Sequence, residues 1–122
     1  RLLLNSKAED RIDQALEVYK EAVDKNPDLY YVYYDIGFIY FLQGQDIFSQ
    51  AGLEQDTERR KEINEIATEK YEQALPMLEK ALELNEENMN IKRETLDVLK
   101  RIYYKLGMTE KYDEVTKQLN NL

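Results

Sequence analysis

The 122 residues predict an all-α chain of about five antiparallel helices, with the second and third elongated. Three observations predict it. Apolar residues recur three and four positions apart through nearly the whole chain, the period of a helix buried along one stripe. Four Gly and two Pro are too few for the regular turns of a β-sandwich. Small and ringed side chains return in phase at three places, so hairpins of helix can nest on one another.

Each helix has its own warrant. Ser6-Lys7-Ala8-Glu9 matches a capping box, in which the hydroxyl of the first residue and the carboxylate of the fourth satisfy each other's backbone N–H. From there to about residue 24, Ile12, Ala15, Leu16, Tyr19, Ala22 and Val23 share a stripe. Asn26-Pro27 stops that helix, because the residue before a proline avoids the α region. Asp28 is the predicted N-cap of the second helix, which runs past Tyr40 and is apolar on more than one face. Gly37 within it costs about 1 kcal/mol relative to Ala, so a neighbouring helix is expected to approach closely there. The spacing continues through Ile47, Phe48 and Ala51, with a weak point at Gly44 and an end at Gly52.

Asp56 is the next predicted N-cap, opening a long third helix over 57–84. Its apolar positions, from Ile63 and Ile66 to Ala81 and Leu82, alternate three and four apart as in a coiled-coil seam. The polar first half is expected to project and to pack only on the extension of the second helix. Pro76 removes one backbone hydrogen bond and predicts a kink near Glu72. A polar connection over 85–90 leads to a fourth helix over 91–106, with Leu96, Leu99, Ile102, Tyr103 and Leu106 inward. Gly107 stands where a helix C-cap glycine belongs. Thr109 is the predicted cap of a last helix that turns Tyr112, Val115 and Leu119 inward.

Three segments place Ala15, Tyr19 and Ala22, then Ala74, Leu78 and Ala81, then Val115 and Leu119 in register. Ahead of the second and third sets stand Tyr33-x-x-Ile36-Gly37-x-x-Tyr40 and Leu96, Leu99, Lys100 and Tyr103. This pattern resembles the tetratricopeptide repeat (TPR), a helix–turn–helix unit of roughly 34 residues. The resemblance runs from about Arg11 to Leu122 and implies a TPR-like helical solenoid. On that reading 1–122 is one domain, with a partial repeat at 6–27, an expanded one at 28–87 and a third at 88–122. Ala15 and Ala74 are 59 positions apart, a surplus of about 25 over the family unit. Lengthening both helices of the central pair accommodates it. Lys100 stands where the family uses a small residue, and Glu86 where it uses proline.

Charge and composition exclude several function classes. Seventeen basic residues against 25 acidic ones leave a net −8, the wrong sign for gripping phosphates or an anionic membrane surface. No nucleic-acid partner is therefore expected. No apolar run approaches the roughly 20 residues that span a bilayer, so no direct membrane insertion is expected. The absence of Cys and His removes thiolate sites and the commonest general base and metal ligand. Acidic pairs such as Glu86-Glu87 sit at helix ends, where carboxylates are favourable without any catalytic role. No phosphate loop or nucleophile motif is present. The expectation is no enzyme, no metal and no cofactor. Compartment is open between cytoplasm and periplasm. A signal segment removed upstream fits a chain that starts in mid-repeat, and some bacterial members with a stretched central repeat look like exported proteins.

The resemblance implies that the first helices of successive repeats line a concave groove. The matching positions are Tyr31, Tyr34, Phe38 and Phe41 on the second helix. On the fourth they are Glu94, Asp97, Arg101, Tyr104 and Lys105. One reading is a non-enzymatic scaffold that takes a peptide or partner helix in this aromatic-lined groove, with Arg101 and Lys105 as polar anchors. The other is that the first helix covers the rings. Some members clamp a carboxylate-ended chaperone tail with Lys and Asn, but Tyr34 and Phe38 occupy those positions here, so that ligand is not expected. The alternative function is an accessory module of a larger exported or nutrient-binding assembly. Apolar ends such as Leu2, Leu3 and Leu122 allow self-association as a homodimer.

Overall fold

The computed structural model describes residues 6–122, with side chains from Lys7 onward. The cap through the Ser6 hydroxyl and the apolar lead with Leu2 and Leu3 lie outside the described residues. Five α-helices follow one another: α1 (Ser6–Lys25), α2 (Tyr30–Leu53), α3 (Thr57–Leu84), α4 (Met89–Lys105) and α5 (Thr109–Asn120). No strand occurs among the described residues. At 24 and 28 residues, α2 and α3 are the elongated pair. The surplus length of the central repeat lies in these two helices rather than in a loop.

The α2–α3 hairpin is held by small residues two turns apart. Gly37, Gly44 and Ala51 are buried on α2, and Ala67, Ala74 and Ala81 on α3. A Cβ on Gly37 would stand 2.6 Å from Leu78 Cγ and 3.3 Å from the Ala74 carbonyl oxygen. One on Gly44 would stand 2.5 Å from Tyr71 Cδ1 and 3.2 Å from the Ala67 carbonyl oxygen. Neither glycine is a weak point: each leaves room for a large side chain of α3 to lie on the α2 backbone. Leu78, fully buried, gains about 1.5–3 kcal/mol from leaving water. That exceeds the roughly 1 kcal/mol of helix propensity given up at Gly37.

Two apolar clusters result. The larger joins Leu16 of α1, the first half of α2, the second half of α3, the inner face of α4 and Val115 of α5. The smaller contains Ile47, Ala51, Ile63 and Ala67, flanked by Phe48 and Ile66. It is drawn from α2 and α3 alone, as the projecting first half of α3 required. At the tip, Arg60 donates from Nε and Nη2 to the Glu54 carbonyl oxygen at 2.9 and 2.7 Å. Arg59 Nε meets the Glu54 carboxylate at 2.9 Å. The α3 helix passes through Pro76 without a break, and Pro76 is exposed, where water can reach the carbonyl released at Glu72.

Helix ends correct several expectations. Asp28 is not the cap of α2. Its N–H is taken by the side chain of Asn26, and Leu29 caps without a side-chain bond. Gly52 does not end α2, which continues to Leu53. Its φ is not positive, so it does not form the left-handed turn that a terminating glycine supplies. Asp56 does stand at the cap of α3 but makes no side-chain cap bond. Met108, not Thr109, caps α5, which leaves Thr109 as its first residue.

α4 begins at Met89, two residues ahead of the expected start. Asn88 caps it by accepting from the Ile91 N–H at 3.1 Å. Buried Asn85 braces that turn, accepting from the Asn88 N–H and donating to its carbonyl, both at 2.9 Å. Gly107 is the expected C-terminal turn, at φ 72°. The Gly107 and Met108 N–H groups return to the carbonyls of Tyr104 and Tyr103, the paired bonds of a Schellman motif.

Candidate functional site

Tyr34, Phe38 and Phe41 stand four and three positions apart on α2, so they share one side of the helix. Their rings form a ladder. Tyr34 and Phe38 stack at 5.7 Å between centroids, and Phe38 and Phe41 at 6.1 Å. The ladder continues through Phe41 on Tyr71 at 5.4 Å, then Tyr71 edge-on to Phe48 at 5.0 Å. It anchors the first half of α2 to the middle of α3, and each such pair contributes about 0.5–1.5 kcal/mol beyond burial.

Alongside the first rungs lies a groove of about 900 Å³ between α2 and α4. Its α2 wall is Tyr34, Asp35, Phe38 and Phe41; its α4 wall is Arg93, Glu94, Asp97, Val98 and Arg101, and Leu119 of α5 completes the lining. Among the described residues, none of α1 lines it. Tyr34 and Phe41 are nearly buried and form the floor, while Phe38 is half-buried and reaches the opening.

Of the residues singled out in the sequence, Tyr34, Phe38, Phe41 and Arg101 come together here, with Glu94 and Asp97. Tyr31, Tyr104 and Lys105 do not line the groove. Tyr31 packs edge-on against Tyr30 at 5.6 Å, one turn nearer the start of α2. Tyr104, 74% exposed, lies beside Tyr112 of α5. Lys105 sets its ammonium 4.4 Å from the centre of the Phe48 ring, a cation–π contact that ties the end of α4 to the arm. The sequence reading missed Asp35, Arg93, Val98 and Leu119. Asp35 and Val98 could have been found from their spacing, three before Phe38 and four after Glu94. Leu119 enters only because α5 folds back beside α4.

Charge is distributed unevenly along this groove. Arg101 Nε pairs with Asp97 Oδ2 at 3.2 Å. Burial, then the Glu94 carboxylate that accepts the Tyr34 hydrogen bond, pushes the Tyr34 phenol up to about 12. Asp35 and Asp97 act on Tyr34 in the same direction as Glu94. Burial also raises the Asp35 carboxyl. At Tyr71, burial raises the phenol and the Arg101 charge partly opposes it. Three carboxylates thus act on Tyr34, while Arg101, one of the two arginines of the lining, acts on Tyr71.

A separate tie fixes the α4 backbone behind the groove. Tyr103 donates to Glu79 Oε2 at 2.7 Å, and Lys111 Nζ approaches the same oxygen at 3.5 Å. Burial and the Glu79 carboxylate both hold the Tyr103 phenol protonated well above its ordinary range. One carboxylate of α3 thereby joins α4 and α5. Among the described residues no group of three or more acidic side chains is arranged to hold a metal ion. No described helix is long and apolar enough to cross a membrane.

Residues 8–44 match the family model described as TPR repeat. No curated protein and no solved structure matches the chain. The match spans α1, the turn at Pro27 and α2 as far as Gly44, and so contains Tyr34, Phe38 and Phe41. A repeat of this kind is in general a protein–protein interaction module. Residues 8–44 are thus similar to a tetratricopeptide repeat, and the five helices form an all-α, TPR-like fold.

Proposed function

We propose that this chain is a non-enzymatic scaffold whose α2–α4 groove takes a peptide or a helix of a partner protein. The observation that carries this reading is the groove itself: about 900 Å³ beside a stacked aromatic floor, with half-buried Phe38 at its mouth. An aromatic side chain on a rigid, already packed floor offers contact area at low entropic cost. Polar side chains surround it, the arrangement of an apolar centre with a polar rim.

Selection from a random peptide display library tests the proposal. Peptides that occupy the groove lose affinity by about tenfold or more on Phe38→Ala, the cost of about 1.4 kcal/mol at a hot-spot ring. They are unaffected by Leu53→Ala, at the exposed arm tip. Equal binding to wild type and Phe38→Ala, with both proteins folded, would place the binding surface elsewhere.

A further inference from the structure

The groove has an unmet electrostatic demand at one end. Of its three carboxylates, Asp97 is paired with Arg101. Asp35 is half-buried and has no ion-pair partner among the described residues. Glu94, exposed on α4, lines the same groove and accepts the hydrogen bond of the Tyr34 hydroxyl, so both acids act on that one ring. Arg93 and Glu94 are both exposed at this end, which leaves half-buried Asp35 as the carboxylate without a cation beside it. The chain as a whole carries −8, so the long-range field has the same sign as this local one. A second acidic segment entering here meets like charge beside low-dielectric ring walls, where repulsion is least screened. A cationic one offsets the burial of Asp35 and can lay its methylene stem along Phe38.

We infer that the occupant of the groove is a cationic amphipathic segment of another protein, with its apolar face on Phe38 and a Lys or Arg between Asp35 and Glu94. This rests on the groove-binding reading and names the chemistry of its ligand. It also gives the ligand a direction, since Arg101 stands two helical turns along α4 from Glu94, at the end away from the acidic pair.

Two synthetic helical peptides of about four turns, with the same leucine face, distinguish the outcomes. One carries Lys on its polar face and the other Glu. Fluorescence anisotropy against the 122-residue chain is expected to show the Lys peptide binding at least about tenfold tighter, a preference that weakens as salt shortens the Debye length below about 10 Å. Asp35→Asn with Glu94→Gln should weaken the Lys peptide by about tenfold, and Phe38→Ala by a similar factor. Glu86→Gln with Glu87→Gln, at the exposed α3–α4 turn, should leave it within about twofold, because those charges are screened from the groove. Tighter binding of the Glu peptide, still lost on Phe38→Ala, overturns the charge assignment and leaves the groove standing. Binding of neither peptide sinks both readings. An equal loss from the Glu86 and Glu87 changes shows attraction by net charge alone and also overturns the inference.

Discussion

The glycines of α2 show how one residue type serves opposite needs. At Gly37 a methyl group would meet Leu78 Cγ at 2.6 Å, whereas at Gly52 nothing lies within 4 Å. Both lie inside the same helix, so Ala raises helix propensity by about 1 kcal/mol at either position. Gly52→Ala is therefore expected to stabilise by about 0.5–1 kcal/mol, a Tm rise of about 2–5 °C. Gly37→Ala must displace a fully buried leucine, at an overpacking cost of about 1–3 kcal/mol, so a net loss is expected. Thermal unfolding of the two variants checks the pair, and a gain at both positions would mean that α2 and α3 are less tightly apposed.

Tyr34 gives a second test at this scale. Below pH 10 its phenol is neutral in both the folded and the unfolded chain, and its contribution is fully present. From pH 10 to about 12 the unfolded chain ionises first, because the folded phenol is held up to about 12 by burial and by Glu94. Stability is then lost as the pH rises through that window. Tm measured from pH 9 to 12 should fall, and less steeply in Tyr34→Phe. Equal slopes in the two proteins would show that Tyr34 titrates as if free.

The α2–α3 hairpin is continuous as an element but not uniform in what supports it. Its inner part belongs to the large core shared with α4 and α5, while its outer part rests on Ile47, Ala51, Ile63 and Ala67. Local opening follows the amount of buried apolar contact. Amides near Ala51 and Ile63 are accordingly expected to exchange with deuterium at least about tenfold faster than those near Ala74 and Leu78. Equal protection along α3 would mean that the hairpin opens only with the whole molecule. The length of α3 was legible because Ile63, Ala67, Ala74, Leu78 and Ala81 keep their spacing across Pro76. The ends of the helices were less so. Asp28, Thr109 and Gly52 are residue types suited to termini, but the bonds at these ends go to Asn26, to the backbone and to Arg60 of α3. Propensity names the residues that can cap a helix, and the path of the chain selects which of them do.

Across the whole molecule, the stacking order decides which surface stays open. Placing α4 beside α2 creates the groove, and among the described residues α1, which also packs on α2, contributes nothing to its lining. The α2 half of the site was readable because Tyr34, Phe38 and Phe41 follow helical spacing within a recognisable repeat. The opposite wall was only partly readable. Arg101, Tyr104 and Lys105 occupy neighbouring positions on α4, yet only Arg101 reaches the groove, because Tyr104 lies against α5 and Lys105 against the arm.

By itself, the sequence determined the all-α class, the long central hairpin and the tetratricopeptide pattern, because hydrophobic period and small-residue spacing are local properties written along each helix. Which side chains converge, and with what charge, was decided only when the helices packed. A contact between α2 and α4 joins residues some 60 positions apart, and its register depends on ring and leucine packing that no single segment encodes.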